Sequence, residues 1–558
     1  MSEDTENISV DDHIQTLNPI VGVNMEDLAK TAAGVLQAAL TQPTVAAKHI
    51  MAFNAELISV MFGTSKREPA PRDRRFVDDQ FTSNPLYAGM AKSWLAWQSV
   101  VNDWVDDIGF EGEALERARF VASLVTDAMA PTNFLLGNPS ALKKAVATRG
   151  GSLIAGLRNL IDDMQNNNGM PSQVDKSAFS VGGNLANTTG SVIHRDDIIE
   201  LIQYQPRTDT QNTQPILVVP PQINKYYIYD MSPEKSLVKY LLEQGFQVFV
   251  VSWRNPSAEH RSWGLDDYVT ALEKAIDVTR DISGADAVNV VGACAGGITL
   301  AVTLGYLAGQ NKLEKVASLT LMVNVLQPAN EDSVIGLFTN DETIETARKR
   351  SAKAGILDGK DTARVFNWMR PNDLIWNYVV SNYLHGESPP AFDILYWNND
   401  TTRLPARLHS DFLDVFKDNV LSKQGALKIN GVPIDLAKVT VPAFITGGTT
   451  DHITPWQACY RSTQILGGET TYILSTAGHI QSLINPPTSS KRKFYTNADT
   501  PSAAEDWLKG AEEHAGSWWP FWTDWLNTQS NEQATAPTGY GNDNYPELCP
   551  APGTYVLE

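Results

Sequence analysis

The chain has 558 residues, 42% of them apolar and 19% charged, which suits a large buried core and excludes a disordered chain. Its formal net charge of −20 argues against gripping nucleic acid or an anionic membrane by bulk charge. Three cysteines exclude a disulfide scaffold, the acidic opening MSEDTENISVDD is no secretory or mitochondrial signal, and no apolar run approaches the ~20 residues of a transmembrane segment.

The first ~170 residues read as helical by the 3.6-residue period. Apolar residues recur at three and four from Met25 to Phe62, broken at Pro43. A second stretch covers Pro85 to Ile108 and a third Glu113 to Ala128. The texture changes at the polar run NNNGMPSQ (166–173), so we expect a helical N-terminal domain over 1–180 and a second domain over 181–558. β-type runs occupy Gly190–Tyr204. Strands then alternate with helices: strands at Pro215–Pro221, Phe246–Trp253, Ala287–Cys294 and Ser318–Leu326, helices at Ser232–Gln244, Asp266–Ile282 and Gly296–Leu307. Short apolar runs separated by helices predict a parallel sheet covered on both faces. The next strands are Val441–Thr446 and, as the last, Thr471–Leu474. The helical, aromatic stretch between, about 327–438, is too long for a plain connection and reads as a cap inserted over the sheet's carboxyl edge. Trp518, Trp522 and Trp525 share one helix face, which either packs on the core or meets a partner. The Pro-, Gly- and Asn-rich end, about 530–558, reads as an extended tail.

The sharpest local signal is Gly292-Ala293-Cys294-Ala295-Gly296-Gly297, at the end of one apolar strand and the start of a helix. That is the setting of the G-x-S-x-G nucleophile elbow, with cysteine in place of serine. Three cysteines, each needing glycine on both sides at 38 in 558, give about 0.014 chance matches, so the pattern is not accidental. The glycines permit close approach of neighbouring chain, and the helix N-terminus favours a thiolate. Cys459 reads as a core residue and Cys549 as part of the tail, since buried cysteine behaves as a small hydrophobe.

An elbow of this kind is followed in chain order by an acid and a histidine. Asp451 lies beyond the strand VPAFIT in a Gly-rich turn, and His479 beyond TYIL. His479 is the expected base and Asp451 the group that orients it. His452 is the rival base, ranked lower because adjacent residues point apart. Two backbone N–H groups are expected to form an oxyanion hole, from Ala295 and from Ile223 in the loop after the strand PILVVPP. No metal-ligand spacing, P-loop or dinucleotide fingerprint occurs, so no cofactor or metal is expected. The fold class is therefore α/β, an α/β-hydrolase fold with an inserted cap, preceded by a helical domain.

These residues resemble the polyhydroxyalkanoate synthases. The likeness rests on VVPPQINKYYIYD (218–230), VSWRNP (251–256), GACAGG (292–297), MRPNDLIWNY (369–378), YWNNDTTRLP (396–405), DHITPW (451–456) and GHIQSLINPP (478–487), in order. LNPIVGV (17–23), SNPLYA (83–88) and MAPTNFLLGNPSAL (129–142) look like the class II, medium-chain members. The resemblance implies an acyltransferase that polymerises (R)-3-hydroxyacyl-CoA into polyester with CoA release through an acyl-cysteine. Cys294 would be its nucleophile, Asp451 its acid and His479 its base. It also implies a homodimer on the surface of cytoplasmic polymer granules, in contact with the growing chain and with phasin-type proteins. CoA is then part of the substrate rather than a cofactor. Trp397 and neighbouring aromatics would line an acyl tunnel or simply pack the cap. Lys225 and Arg254 would meet CoA phosphates or serve structural roles. A thioesterase of the same fold and a catalytically idle homologue are the alternatives.

Overall fold

The computed structural model describes residues 25–71, 73–327, 341–488, 492–529 and 532–558. The LNPIVGV stretch and residues 328–340 of the expected cap lie outside the described residues. The chain forms two compact units, Met1–Lys176 with Arg364–Phe392, and Ser177–Ala363 with Asp393–Glu558.

The first unit is helical. Pro43 separates α1 (Met25–Thr41) from α2 (Pro43–Met61), since proline is tolerated only in the first turn of a helix. α3 (Pro85–Asp107) starts where Asn84 accepts the Leu86 N–H at 3.0 Å, and α4 (Gly112–Ala128) follows. Trp94 of α3 is buried and donates its indole N–H to the Thr126 carbonyl at 3.0 Å. The Arg75 guanidinium lies 4.7 Å from the same ring and pairs with Asp73 and Asp127 at 2.8 and 3.0 Å. α5 (Pro139–Ala147) and α6 (Gly151–Asn166) complete the row. The segment 364–392 joins this unit through polar contacts that no periodicity announces. Tyr383 donates to Asp163 at 2.9 Å, and Asn159 donates to the carbonyls of Asn382 and Glu387, both at 2.9 Å.

The second unit is built on an eleven-stranded sheet. Its strands are β1 (Gly190–Arg195), β2 (Ile199–Tyr204), β3 (Ile216–Val219), β4 (Val248–Trp253), β5 (Val288–Ala293), β6 (Val316–Met322), β7 (Ala443–Gly448), β8 (Thr470–Ser475), β9 (Lys493–Thr496), β10 (Glu512–Ala515) and β11 (Cys549–Pro550). The spatial order is β10-β9-β8-β7-β6-β5-β3-β4-β2-β1-β11. The six central strands, from β8 across to β4, run parallel, and both flanks are antiparallel. β3, β4 and β5 are buried along their whole length, as strands covered on both faces must be. α7 (Leu265–Ser283) and α8 (Cys294–Gly309) pack against one another beside them.

Two expectations need correction. Thr471–Leu474 is not the last strand, because β9, β10 and β11 extend both edges. They are short and partly exposed, so they lack the apolar runs that mark the centre. Nor is the chain end a loose tail. Gln533–Thr535 pairs with Thr210–Asn212, and β11, which carries Cys549, pairs with β1. Beyond it, the wholly buried carboxylate of Glu200 accepts the N–H groups of Thr554 and Tyr555 at 2.9 and 3.0 Å and the Arg195 guanidinium at 2.7 Å. The tryptophan cluster is core: Trp518, Trp519 and Trp522 are buried. The indoles of Trp518 and Trp522 donate to the Ser482 carbonyl and to Thr320 Oγ1, both at 3.0 Å. Trp519 opens the last helix, α9 (Trp519–Gln529). Among the described residues no helix is long and apolar enough to cross a membrane.

Removing residues 549–558 strips Glu200 of its backbone donors and of the chain that covers it, and takes away the buried Tyr555 and Val556. Stability should fall by about 3–5 kcal/mol, from the lost hydrogen bonds and the lost burial of those two side chains. The midpoint of urea unfolding checks this, and Glu200→Gln in the full chain should also lower it, because a neutral amide replaces the charged acceptor of the Arg195 guanidinium and of the Thr554 and Tyr555 N–H groups.

Candidate active site

The site lies at the carboxyl ends of the central strands. β5 ends at Ala293, and Cys294 begins α8 with φ +48°, a left-handed backbone that a non-glycine residue adopts only under constraint. Two close approaches hold it there. A Cβ on Gly296 would lie 2.3 Å from the Pro220 carbonyl oxygen, so the loop after β3 crosses directly over the turn. A Cβ on Gly297 would lie 2.7 Å from the Asn324 amide, which donates to the Cys294 carbonyl at 2.7 Å. Asn324 was not singled out by the sequence reading, which ran its strand on to Leu326. The strand stops at Met322 because Val323 is itself left-handed, with φ +43°. That kink turns Asn324 toward the elbow.

β7 and β8 bring in the next two residues. Asp451 follows β7 in a turn closed by its own side chain, whose Oδ1 accepts the N–H groups of Ile453 and Thr454, both at 2.9 Å. His479 follows β8, and its Nδ1 lies 2.7 Å from Asp451 Oδ2. Thr454 Oγ1 bridges the two, 2.7 Å from Asp451 Oδ2 and 3.1 Å from His479 Nδ1. Thr454 too was missed; the D-x-x-T spacing of an Asx-type turn was the available signal. Asp451 is thus paired with His479. With Nδ1 committed to Asp451, Nε2 is the nitrogen left to serve Cys294, whose sulfur lies within electrostatic reach of the ring.

Electrostatics follow from burial and proximity. Asp451 is buried, which disfavours its charge, yet the charge and hydrogen bond of His479 and the donors of Thr454 outweigh this and hold the carboxyl below its usual range. Burial likewise disfavours the imidazolium of His479, but Asp451 and Cys294 overcome it and raise the ring to about 10. The arrangement is therefore a buried ion pair with a sulfur at its outer end. Cys459, wholly buried with Sγ 3.5 Å from the Thr454 carbonyl, has its thiol pushed up by burial and is a core residue.

The loop after β3 is tied down along its length. The Trp253 indole donates to the Pro220 carbonyl at 2.8 Å, and Gln222 donates to Thr299 of α8 at 2.9 Å. The Ile223 carbonyl accepts the Thr402 N–H at 3.1 Å. Trp397 is buried, and its indole N–H donates to the Lys225 carbonyl at 2.7 Å, so it braces this loop. Lys225 and Arg254 are committed structurally. The Lys225 ammonium donates to the carbonyls of Val556 and Glu558 at 3.0 and 2.8 Å, and Arg254 stacks 4.2 Å from the Tyr555 ring. Among the described residues no group of three His, Cys, Asp or Glu could hold a metal ion.

The chain matches the family described as poly-beta-hydroxybutyrate polymerase (PhaC) N-terminus over residues 72–241, and the α/β hydrolase fold over 215–486. It is 47% identical to poly(3-hydroxyalkanoate) polymerase 1 of Ectopseudomonas oleovorans, across 97% of this chain and 96% of that protein. The chain belongs to the poly(3-hydroxyalkanoate) polymerase family. Polymerase 2 of the same organism is also 47% identical over 97% of the chain and 96% of its own length. The polymerase subunit PhaC of Cupriavidus necator is 40% identical over 94% of the chain and 90% of its own. A solved hydrolase from Pseudomonas aeruginosa PA01 shares 13% identity over 53% of this chain and 92% of that one, at a TM-score of 0.34. With the parallel sheet, the elbow and the α/β hydrolase family match over 215–486, the second unit has the α/β-hydrolase fold.

The ion pair sets a pH signature. His479's contribution to stability is complete below its ordinary value of 6.5 and is lost as pH rises toward about 10. Asp451's contribution is present above its ordinary value of 3.8 and is lost as pH falls through its depressed one. Asp451→Asn should therefore cost about 3 kcal/mol near pH 5–6, the low end for breaking a buried pair. Unfolding of both proteins across pH should show the gap narrowing on either side.

Proposed function

We propose that the protein polymerises (R)-3-hydroxyacyl-CoA into polyester with release of CoA, using Cys294 as nucleophile, His479 as proton carrier and Asp451 as its orienting anion. The observation that carries this reading is the Asp451–His479 pair, 2.7 Å apart, beside a cysteine at a left-handed strand-to-helix turn. Cys294 Sγ, its proton already held on the His479 imidazolium, attacks the thioester carbonyl, and His479 hands that proton to the departing CoA sulfur. The new C–S bond is again a thioester, so the acyl group stays activated; a serine ester would not keep it so. The 3-hydroxyl of a second acyl group or chain then attacks the acyl-Cys294 carbonyl. The ester C–O bond forms, the C–S bond breaks, and the hydroxyl proton returns through His479 to Cys294. The N–H groups of Ala295 and Ile223 would receive the transient oxyanion.

Polymerisation requires that water be excluded, or the acyl-cysteine is simply hydrolysed. The burial of Asp451 and His479 supports this, as does the bracing of the loop after β3 by Trp397 and Thr402 of the inserted stretch. Trp397 belongs to the same apolar cluster as Ala293, Met322 and Val323 and would form part of the acyl wall. The first unit exposes Leu36, Leu40, Met51, Met61, Phe62 and Leu136, among others, which suits contact with an apolar polymer surface. A homodimer on cytoplasmic polymer granules, with phasin-type neighbours, belongs to the same reading.

CoA release measured together with product analysis separates the alternatives. With (R)-3-hydroxydecanoyl-CoA we expect polymer, and less from (R)-3-hydroxybutyryl-CoA; the reverse ranking would overturn the medium-chain assignment alone. Free monomeric acid as the product from both would mark a thioesterase. Cys294→Ala should lower CoA release by more than a thousandfold while the chain stays folded.

A further inference from the structure

Tyr229 ends the 3-10 turn Tyr226–Tyr229, in the same loop after β3 that crosses the elbow at Pro220. Its ring is 1% exposed and belongs to the apolar cluster of Ala293, Met322, Val323, Leu483 and Ile484. Those residues flank the site. Ala293 precedes Cys294, Val323 precedes Asn324, and Leu483 ends the short helix that His479 opens. Yet the Tyr229 hydroxyl is buried and has no hydrogen-bond partner among the described residues. Of the other tyrosines in this turn, Tyr227 donates to Asp400 at 2.8 Å, while the Tyr226 hydroxyl is likewise buried without a partner among the described residues. A phenyl ring would fill the same space without stranding a hydroxyl. Burial, and then the charge of Cys294, push the phenol well above its ordinary range, so it is a neutral donor within electrostatic reach of the sulfur.

A buried donor without a protein partner, in the loop that crosses the elbow and in the apolar cluster that holds Ala293, calls for an acceptor that arrives with the substrate. The carbonyl oxygen of the acyl group already has the backbone N–H groups of the elbow and the crossing loop in the reading above. The next polar atom of a 3-hydroxyacyl group is its 3-hydroxyl, two carbons further along. We propose that the Tyr229 hydroxyl donates to the 3-hydroxyl oxygen of the acyl group held at Cys294, and so selects hydroxylated over plain acyl chains. The inference rests on the acyl-Cys294 reading. A site that hydrogen-bonds a substrate hydroxyl rejects the analogue lacking it, because the site's own polar group is then left unpaired.

The test is the first burst of CoA release from (R)-3-hydroxydecanoyl-CoA and from decanoyl-CoA, in wild type, Tyr229→Phe and Cys294→Ala. Decanoyl-CoA has no hydroxyl to extend a chain, so the burst isolates acylation. Tyr229→Phe should lower the burst rate with the hydroxylated substrate about tenfold, near the worth of one hydrogen bond. It should leave decanoyl-CoA unchanged or faster, and its unfolding midpoint should be equal to or above wild type. An unchanged ratio of the two rates overturns the proposal. Equal loss on both substrates also overturns it, because it would assign Tyr229 to carbonyl binding or to packing. A burst that persists in folded Cys294→Ala instead overturns the acyl-cysteine reading beneath it.

Discussion

The left-handed backbone at Cys294 is the constraint on which the rest of the site depends. It holds the sulfur out at the sheet's carboxyl edge, at a helix N-terminus, where a short strand–turn–helix connection alone would tuck it into the core. An L-residue does not rest there freely. The conformation persists because Pro220 presses from one side, and on the other Asn324 holds the Cys294 carbonyl. Both contacts require that positions 296 and 297 carry no side chain. A second left-handed residue, Val323, is what delivers Asn324. Strain at one strand end is thus maintained by strain at the next, and the fully buried parallel strands beneath absorb both.

The second dependency is electrostatic. Taking Asp451 and His479 out of water is costly, and their attraction repays it only if the remaining hydrogen-bonding capacity is met. Here it is met locally, by the N–H groups of Ile453 and Thr454 and by the Thr454 hydroxyl. The pair is built into two consecutive parallel strand ends, so the sheet register that aligns Gly448 with Ser475 also aligns the two loops. The same economy appears far from the site, where Glu200 is buried under the 549–558 segment and bonded by its backbone.

The centre of the sheet was legible because strands covered on both faces are continuous apolar runs, and runs such as PILVVPP and FQVFVVSW are too apolar and too short for exposed loops or full helices. Cys294, Asp451 and His479 were legible for a related reason: each sits where such a run stops. Of the flanks, only the Gly190–Tyr204 pair was legible; β9, β10 and β11 were not. KFYT and EEHA are short and half-exposed, and the segment after Cys549 reads as loose chain because what pins it is a glutamate more than 300 residues away. Asn324 and Thr454 carry no periodic signal; their roles come from backbone angles and from hydrogen bonds across the chain. Residues 364–392 join the helical unit through Asn159 and Asp163, a pairing that spacing cannot express.

In the proposed reaction the acyl group passes through Cys294 as a thioester. Intact-mass and peptide-mass analysis of protein quenched seconds after mixing with (R)-3-hydroxydecanoyl-CoA addresses it directly. We expect an added 3-hydroxyacyl mass on the peptide bearing Cys294, labile to hydroxylamine, and none on Cys459 or Cys549. An acyl adduct on any other residue, or CoA turnover with no adduct on Cys294 under conditions that trap a thioester, would contradict it.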